Sequence, residues 1–345
     1  VQGPARLVLG SCKATGSPPE NGSAGPEGTS GLSDVQRIVV PLLDALILAT
    51  GAVGHSLVVL ILLRRRRSQR RHGTNTLLLA LSLADLLQLA CLPFNTAAIA
   101  LGRWPFGDVP CRLVSFLGVA CSCASVFTLA ALAVSRYLTV VHPAWAYRSR
   151  CAHSLRAAAA ALWVPAMALA APQFALRRVR TTGQVYCFTF LSDLGQLVYS
   201  AALFLFGFAL PLAIIVLMYA KIYGFLRRAR RQGRAPQVER YQAQVTRTSA
   251  LLVVVFTLCW LPSYILMFSL VGRTVSELRY GAFPISARLL ASSSTVANPI
   301  LYVFISQKFR QDLWALSGRE SALLEGTTGG KEQKLITFFP TSASS

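Results

Sequence analysis

The sequence predicts an all-α membrane protein: a bundle of seven transmembrane helices followed by a short amphipathic eighth helix. Three observations predict it. Apolar residues make up 54% of the 345 residues and charged residues only 14%, against roughly 25% charged in soluble domains. The apolar residues are gathered into seven blocks with almost no charge inside, each long enough for the roughly 20 residues that a bilayer core requires. The charges crowd the gaps, and basic residues dominate alternate gaps.

Residues 1–35 read as a flexible tail rich in Gly, Pro and Ser, with Asn21-Gly22-Ser23 as an N-glycosylation acceptor if the tail is extracellular. The first 31 residues hold no apolar core of a secretory signal, so the first span is expected to act as its own targeting signal. The bundle occupies residues 36–306, with spans at about 36–63, 75–100, 109–141, 155–175, 196–226, 244–271 and 284–306. Pro93, Pro165, Pro172, Pro211, Pro262 and Pro299 lie inside them. Soluble helices tolerate an interior proline poorly, at ~3 kcal/mol, whereas in membranes neighbouring helices and water satisfy the freed carbonyls.

Orientation follows from the basic residues in the connections. The first holds Arg64, Arg65, Arg66, Arg67, Arg70 and Arg71; the third Arg148, Arg150 and Arg156; the fifth Arg227, Arg228, Arg230, Arg231, Arg234 and Arg240. Arg177, Arg178 and Arg180 make the fourth moderately basic. Odd-numbered connections are therefore cytoplasmic and the N-terminus extracellular. The net charge of +21 is concentrated beside the spans, where it meets anionic membrane lipid; nucleic-acid binding is not expected. After the seventh span, residues 307–317 can place Phe309, Leu313 and Leu316 on one face of a helix lying on the inner membrane surface. The cytoplasmic tail, 318–345, ends in Thr341-Ser342-Ala343-Ser344-Ser345, which offers phosphorylation sites.

Given that orientation, Cys111 and Cys187 both face the oxidising side, which permits a disulfide across the mouth of the bundle. Cys12 is free or partnered outside, and Cys91, Cys121, Cys123 and Cys259 pack within spans. No cysteine spacing suggests zinc. An ionisable residue within a span is usually functional, and Asp85 is the one read as deep in a span. Ser125, Ser294 and Asn298 can join it, either as oxygen ligands for a sodium ion or as a plain hydrogen-bonded cluster. In the third span Gly118, Ser122, Ser125, Leu129, Leu132 and Arg136 recur at helical spacing. In the sixth, Thr246, Ser249, Val253, Phe256, Trp260, Tyr264 and Met267 form a stripe, and Pro262 allows a bend beside Trp260.

These residues resemble the rhodopsin-like (class A) G-protein-coupled receptors. The resemblance is carried by Leu83-Ala84-Asp85, Trp104-Pro105-Phe106-Gly107, Cys111 with Cys187, Ser135-Arg136-Tyr137, Trp163, Pro211 with Tyr219, Cys259-Trp260-Leu261-Pro262 and Asn298-Pro299-Ile300-Leu301-Tyr302, in order, over about residues 38–316. Phe127-Thr128-Leu129-Ala130-Ala131 and Ser306-Gln307-Lys308-Phe309-Arg310 are most similar to the galanin, kisspeptin and allatostatin peptide receptors. The resemblance implies a multi-pass plasma-membrane receptor for a peptide, coupled to a heterotrimeric G protein of the inhibitory class, with arrestin as a further partner. It implies a packing switch of Val126, Pro211 and Phe256, a toggle at Trp260, and rearrangement of Asn298, Tyr302 and Tyr219. Ser135, Arg136 and Tyr137 would face the G protein. Gln88, Gly118, Ser122, Ser263, Tyr264, Met267 and Arg288 would line the ligand pocket, with Arg288 suited to a carboxylate or a peptide carbonyl and the loop arginines favouring acidic or mixed ligands.

Three departures stand out. The family's usual Asn in the first span is His55, which can replace some of the bonds that tie this span to Asp85 and the seventh, with a charge that depends on pH. The usual acid before Arg136 is Ser135, and a Glu of the sixth span is Gln242. Arg136 thus lacks both acidic partners, and raised basal signalling or altered coupling is expected. Gly118 stands where amine receptors carry an Asp, which argues against a monoamine. An orphan-type receptor, mainly constitutive or with a small acidic or lipid ligand, is the alternative. No enzyme is expected, because His55, His72, His142 and His153 sit apart or in loops. A retinal protein would need a seventh-span Lys, and there is none before Lys308.

Overall fold

The computed structural model describes residues 27–68, 73–143, 157, 159–180, 186–189, 193–232, 236–269, 282–305, 310–311 and 314. The first span is α1, Glu27–Ser68. It begins well before residue 36, so the expected boundary between tail and bundle falls inside a helix. The second span is two helices, α2 (Gly73–Ala90) and α3 (Leu92–Ala100). The break lies at Cys91, whose N–H turns to the Gln88 carbonyl at 3.1 Å, and Pro93 opens the new helix, where its missing N–H costs nothing. The third span is α4, Asp108–Val141, and the fourth ends in α5, Trp163–Leu176.

The fifth span is α6 (Asp193–Phe204), a π turn over Leu205–Ala209, and α7 (Leu210–Arg231). The sixth is α8, Pro236–Ser269, and the seventh α9, Ala282–Ile305. Among the described residues, five helical stretches are long and apolar enough to cross a membrane: Arg37–Arg64, Asn75–Ala100, Asp108–Val141, Ala159–Leu176 and Leu194–Ala229, with Val253–Ser269 a shorter apolar one. Arg310, Gln311 and Trp314 are helical and exposed; the rest of the expected amphipathic helix lies outside the described residues. So do the Asn21 acceptor, Cys12, the C-terminal tail and the side chains of Gln242 and Tyr302.

One expectation needs enlarging. The chain is not purely helical: β1 (Arg177–Arg180) and β2 (Tyr186–Thr189) form an antiparallel hairpin in which Val179 lies opposite Cys187. Cys187 is bonded to Cys111 at the head of α4, with 5.7 Å between their Cα atoms. A second clasp stands beside it, where the Val179 N–H donates to Asp108 Oδ1 at 3.0 Å. Trp104 packs beneath, buried against Cys111, Cys187 and Val114. Its Nε1 donates to the Gly107 carbonyl at 2.8 Å, and the turn needs glycine there because φ of Gly107 is +79°.

Polar residues such as Asp85, Ser125 and Asn298 face inward among apolar ones, while many other large apolar side chains face outward. Leu46, Val53, Val216, Leu217, Leu258 and Ile265 are exposed, a surface that hydrocarbon accepts and water does not. The inner core is built on Leu77, Leu81, Leu129, Ala133 and Ile215. Close approach of the first and seventh spans depends on Gly54, where an added Cβ would sit 2.8 Å from Pro299 Cβ and 2.9 Å from its Cγ. The proline ring is tied to the backbone and cannot swing away. Gly54→Ala is therefore expected to cost about 1–3 kcal/mol by overpacking, read as a lower heat-unfolding midpoint of the purified protein. Gly224→Ala, where an added Cβ meets nothing within 4 Å, should leave the midpoint unchanged or raise it.

Candidate functional site

A carboxylate inside a bilayer must find donors within the protein. Asp85, on the inward face of α2, is 2% exposed. Its Oδ1 accepts from Ser125 Oγ of α4 and its Oδ2 from Asn298 Nδ2 of α9, each at 2.7 Å. His55 of α1 completes the cluster: Nε2 lies 2.8 Å from the Thr295 carbonyl and 3.4 Å from Asp85 Oδ2. The ring is 1% exposed, and its Nδ1 has no hydrogen-bond partner among the described residues. His55 thus joins the first span to Asp85 and the seventh, as its position suggested. Ser294, expected beside Asp85, is turned elsewhere. Its hydroxyl donates to the Ala291 carbonyl at 2.7 Å and accepts from Trp260 Nε1 at 3.0 Å.

Trp260 belongs to a column of rings. Phe256 and Trp260 have centroids 5.9 Å apart, Trp260 and Tyr264 6.4 Å, Phe208 and Tyr264 4.8 Å, and Phe208 and Phe256 6.1 Å. The π turn supplies Phe208, and Gly207 of that turn lets the fifth span approach closely: an added Cβ would lie 3.3 Å from Cys123 Sγ and 3.7 Å from Tyr264 Oη. Val126 and Pro211 are buried, and Tyr219 is half-buried beside Ile215.

Above the column lie the residues expected to line a pocket. Ser122 Oγ donates to Gln88 Oε1 at 3.1 Å, joining α4 to α2. Gly118, one turn outward, has open space where a side chain would stand. Ser263 Oγ donates to the Ala287 carbonyl at 3.1 Å. Met267 is half-buried, packed with Tyr264 against Cys123 and Leu203. Arg288 requires a correction. Its Nη2 is already ion-paired with Asp44 Oδ2 of α1 at 2.7 Å, and Thr96 Oγ1 of α3 donates to the same oxygen. Asp44 is 2% exposed, so Asp85 is not the only carboxylate deep in a span.

The hairpin arginines divide as well. Arg177 is half-buried and its Nη1 donates to Ser115 Oγ at 2.7 Å, while Arg178 is exposed. Arg177 therefore points into the bundle instead of standing in solvent over its mouth. At the other end, Ser135, Arg136 and Tyr137 are half-buried near the inner end of α4. Among the described residues no carboxylate pairs with Arg136. Lys221 Nζ of α7 stands over the Tyr137 ring, 5.6 Å from its centroid.

Sequence reasoning missed Asp44, Thr96, Asp108 and Ser115. Asp44 carried a signal, as a lone carboxylate in the apolar run Pro41-Leu42-Leu43-Asp44-Ala45-Leu46. Asp108 carried one too, since it opens a helix.

Comparison with known proteins bears on the whole arrangement. The sequence model of the family described as 7 transmembrane receptor (rhodopsin family) matches residues 54–302. Somatostatin receptor type 4 of Rattus norvegicus is 33% identical, with 99% of this chain and 90% of that protein covered. Galanin receptor type 1 of Rattus norvegicus is 31% identical, with 80% and 81% covered. Allatostatin-A receptor of Bombyx mori is 32% identical, with 81% and 79% covered.

The Asp44–Arg288 pair can be tested directly. Asp44→Asn and Arg288→Gln each leave a charge without its partner, and each should destabilise the protein by about 1–3 kcal/mol, below the roughly 3–5 kcal/mol of a fully buried pair because Arg288 is partly exposed. The double variant should be more stable than the sum of the two losses implies, by about 1 kcal/mol or more in a double-mutant cycle of heat-unfolding measurements.

Proposed function

The chain belongs to the rhodopsin family of seven-transmembrane receptors, and on that premise we propose that it is a cell-surface receptor for a peptide, signalling through heterotrimeric G proteins. The relatives named for somatostatin, galanin and allatostatin support a peptide ligand. The observation that carries the mechanism is the ring column. Tyr264 and Met267 stand beside the outer polar residues, Trp260 is tied to Ser294 of the seventh span, and Phe256 reaches the inner core. A ligand that contacts Gln88, Gly118, Ser122, Ser263, Tyr264 and Met267 differs in its affinity for alternative positions of α8, and so shifts their populations. Pro262 frees a carbonyl in α8 one half-turn from Trp260, which makes that segment the hinge. An outward swing of α8 would then open the inner cleft beside Arg136, with Ser135 and Tyr137 in contact with the G protein.

The remaining parts of the reading follow the charge pattern. The N-terminus is outside, Asn21 carries glycan, and the arginine-rich connections face the cytoplasm and its anionic lipids. Coupling to the inhibitory class of G protein is proposed from the resemblance to peptide receptors, with arrestin as the partner for a phosphorylated tail. Arg288 takes part as a neutralised residue of the pocket wall, since Asp44 holds it; this favours uncharged hydrogen-bonding groups of a ligand over a free carboxylate. A second reading, substantial signalling without ligand, is favoured by one observation: no carboxylate among the described residues restrains Arg136.

The test is G-protein activation in cells that display the chain, against somatostatin, galanin and allatostatin peptides and an unstimulated control. A dose-dependent response to one peptide is expected. Silence with every peptide, at verified surface display, would remove the peptide reading. Ser135→Asp restores an acid beside Arg136 and should lower the unstimulated signal by a factor of about 2–5, the shift that about 0.5–1 kcal/mol of ion pairing brings. An unchanged signal would show that other contacts hold the inactive state.

A further inference from the structure

Hard cations bind where several oxygen lone pairs are free to converge on one point. Around Asp85 each carboxylate oxygen already receives a proton. Oδ1 accepts from the Ser125 hydroxyl. Oδ2 accepts from the Asn298 amide, which must present its nitrogen because a carboxylate can only accept; the amide oxygen, a ligand a cation would need, therefore faces away. The Thr295 carbonyl also can only accept, so His55 carries a proton on Nε2. That N–H points into the gap between the Thr295 carbonyl at 2.8 Å and Asp85 Oδ2 at 3.4 Å. The Ser294 hydroxyl, the fourth oxygen expected at a sodium ion, is directed to Ala291 and Trp260.

We infer that the His55 imidazole fills the place of a sodium ion at Asp85, and that the cluster binds no sodium. The positive edge that an ion would present to the carboxylate comes from the protein's own N–H groups, and the same edge repels a second cation. The ring is held from every side: it is 1% exposed, and Gly54, its neighbour in sequence, packs against Pro299 with no room for a methyl group. Replacement by the smaller Asn keeps a donor but withdraws the ring from the gap between the Thr295 carbonyl and Oδ2, and leaves space beside both.

The experiment uses the purified full chain without ligand, with the heat-unfolding midpoint measured in sodium, potassium and N-methylglucamine chloride at equal ionic strength. The wild-type midpoint is expected to be the same in sodium as in potassium. His55→Asn is expected to unfold about 2–4 °C higher in sodium than in potassium, and adding Asp85→Asn to it should abolish that difference. His55→Ala serves the same purpose if the Asn variant does not fold. A sodium-specific rise in the wild type that Asp85→Asn removes would overturn the inference. So would indifference to sodium in both His55 variants, because the imidazole would then not be what keeps the ion out.

Discussion

The bundle is organised around the need to satisfy Asp85. A charge in the middle of a bilayer costs about 3 kcal/mol or more when it has no partner, and no single neighbour can repay that. The carboxylate instead draws Ser125 from the third span, Asn298 from the seventh and His55 from the first. Four helices are thereby fixed in rotation and in depth, because a side chain reaches its partner only if the helix presents the right face at the right level. Gly54 and Gly51 reinforce this. Their missing side chains let α1 lie against Pro299, Leu89 and Val296, so that the His55 ring arrives within reach of Thr295.

A second ionic layer lies about three turns away from the Asp85 cluster along α1. Asp44, Thr96 and Arg288 join α1, α3 and α9, three helices from the same side of the bundle that meets at Asp85. The two layers differ in kind. Asp85 is satisfied chiefly by neutral donors and one imidazole, whereas Asp44 has a full guanidinium. Asp44 Oδ1 and Arg288 Nε and Nη1 nevertheless have no protein partner. Both layers therefore keep some hydrogen-bonding capacity, since His55 Nδ1 is also without a partner among the described residues.

Much of this was legible in the chain. Seven apolar blocks, arginines in alternate gaps and Asp85 in a span are all local signals, each read without knowledge of distant residues. His55 was legible as well, because it stands where the family carries Asn. The Asp44–Arg288 pair was not, although each residue was visible by itself; its partners are separated by 244 positions, and no helical period links them. The hairpin escaped for a different reason. Arg177-Arg178-Val179-Arg180 has no apolar alternation, and its strand geometry comes from Cys187 and Asp108, which clamp the opposite strand and Val179 to α4. The π turn over Leu205–Ala209 gave no signal either, since one extra residue in a helical turn leaves an all-apolar run looking the same.

That π turn completes the mechanical argument. An inserted residue rotates everything before it relative to everything after it, and here it delivers Phe208 to Phe256 and Tyr264. Pro211 follows at once and removes a further backbone donor. In the facing helix Pro262 does the same beside Trp260. The two backbone irregularities thus bracket the ring column from opposite sides, and the column is where regular helix hydrogen bonding is weakest. Helices that are stiff above and below such a zone can move only by pivoting through it. The counterpart is the Asp85 cluster, which ties the first, second, third and seventh spans and, among the described residues, includes none of the fourth, fifth or sixth. The proposed swing would move the fifth and sixth spans against the four that meet at the buried carboxylate.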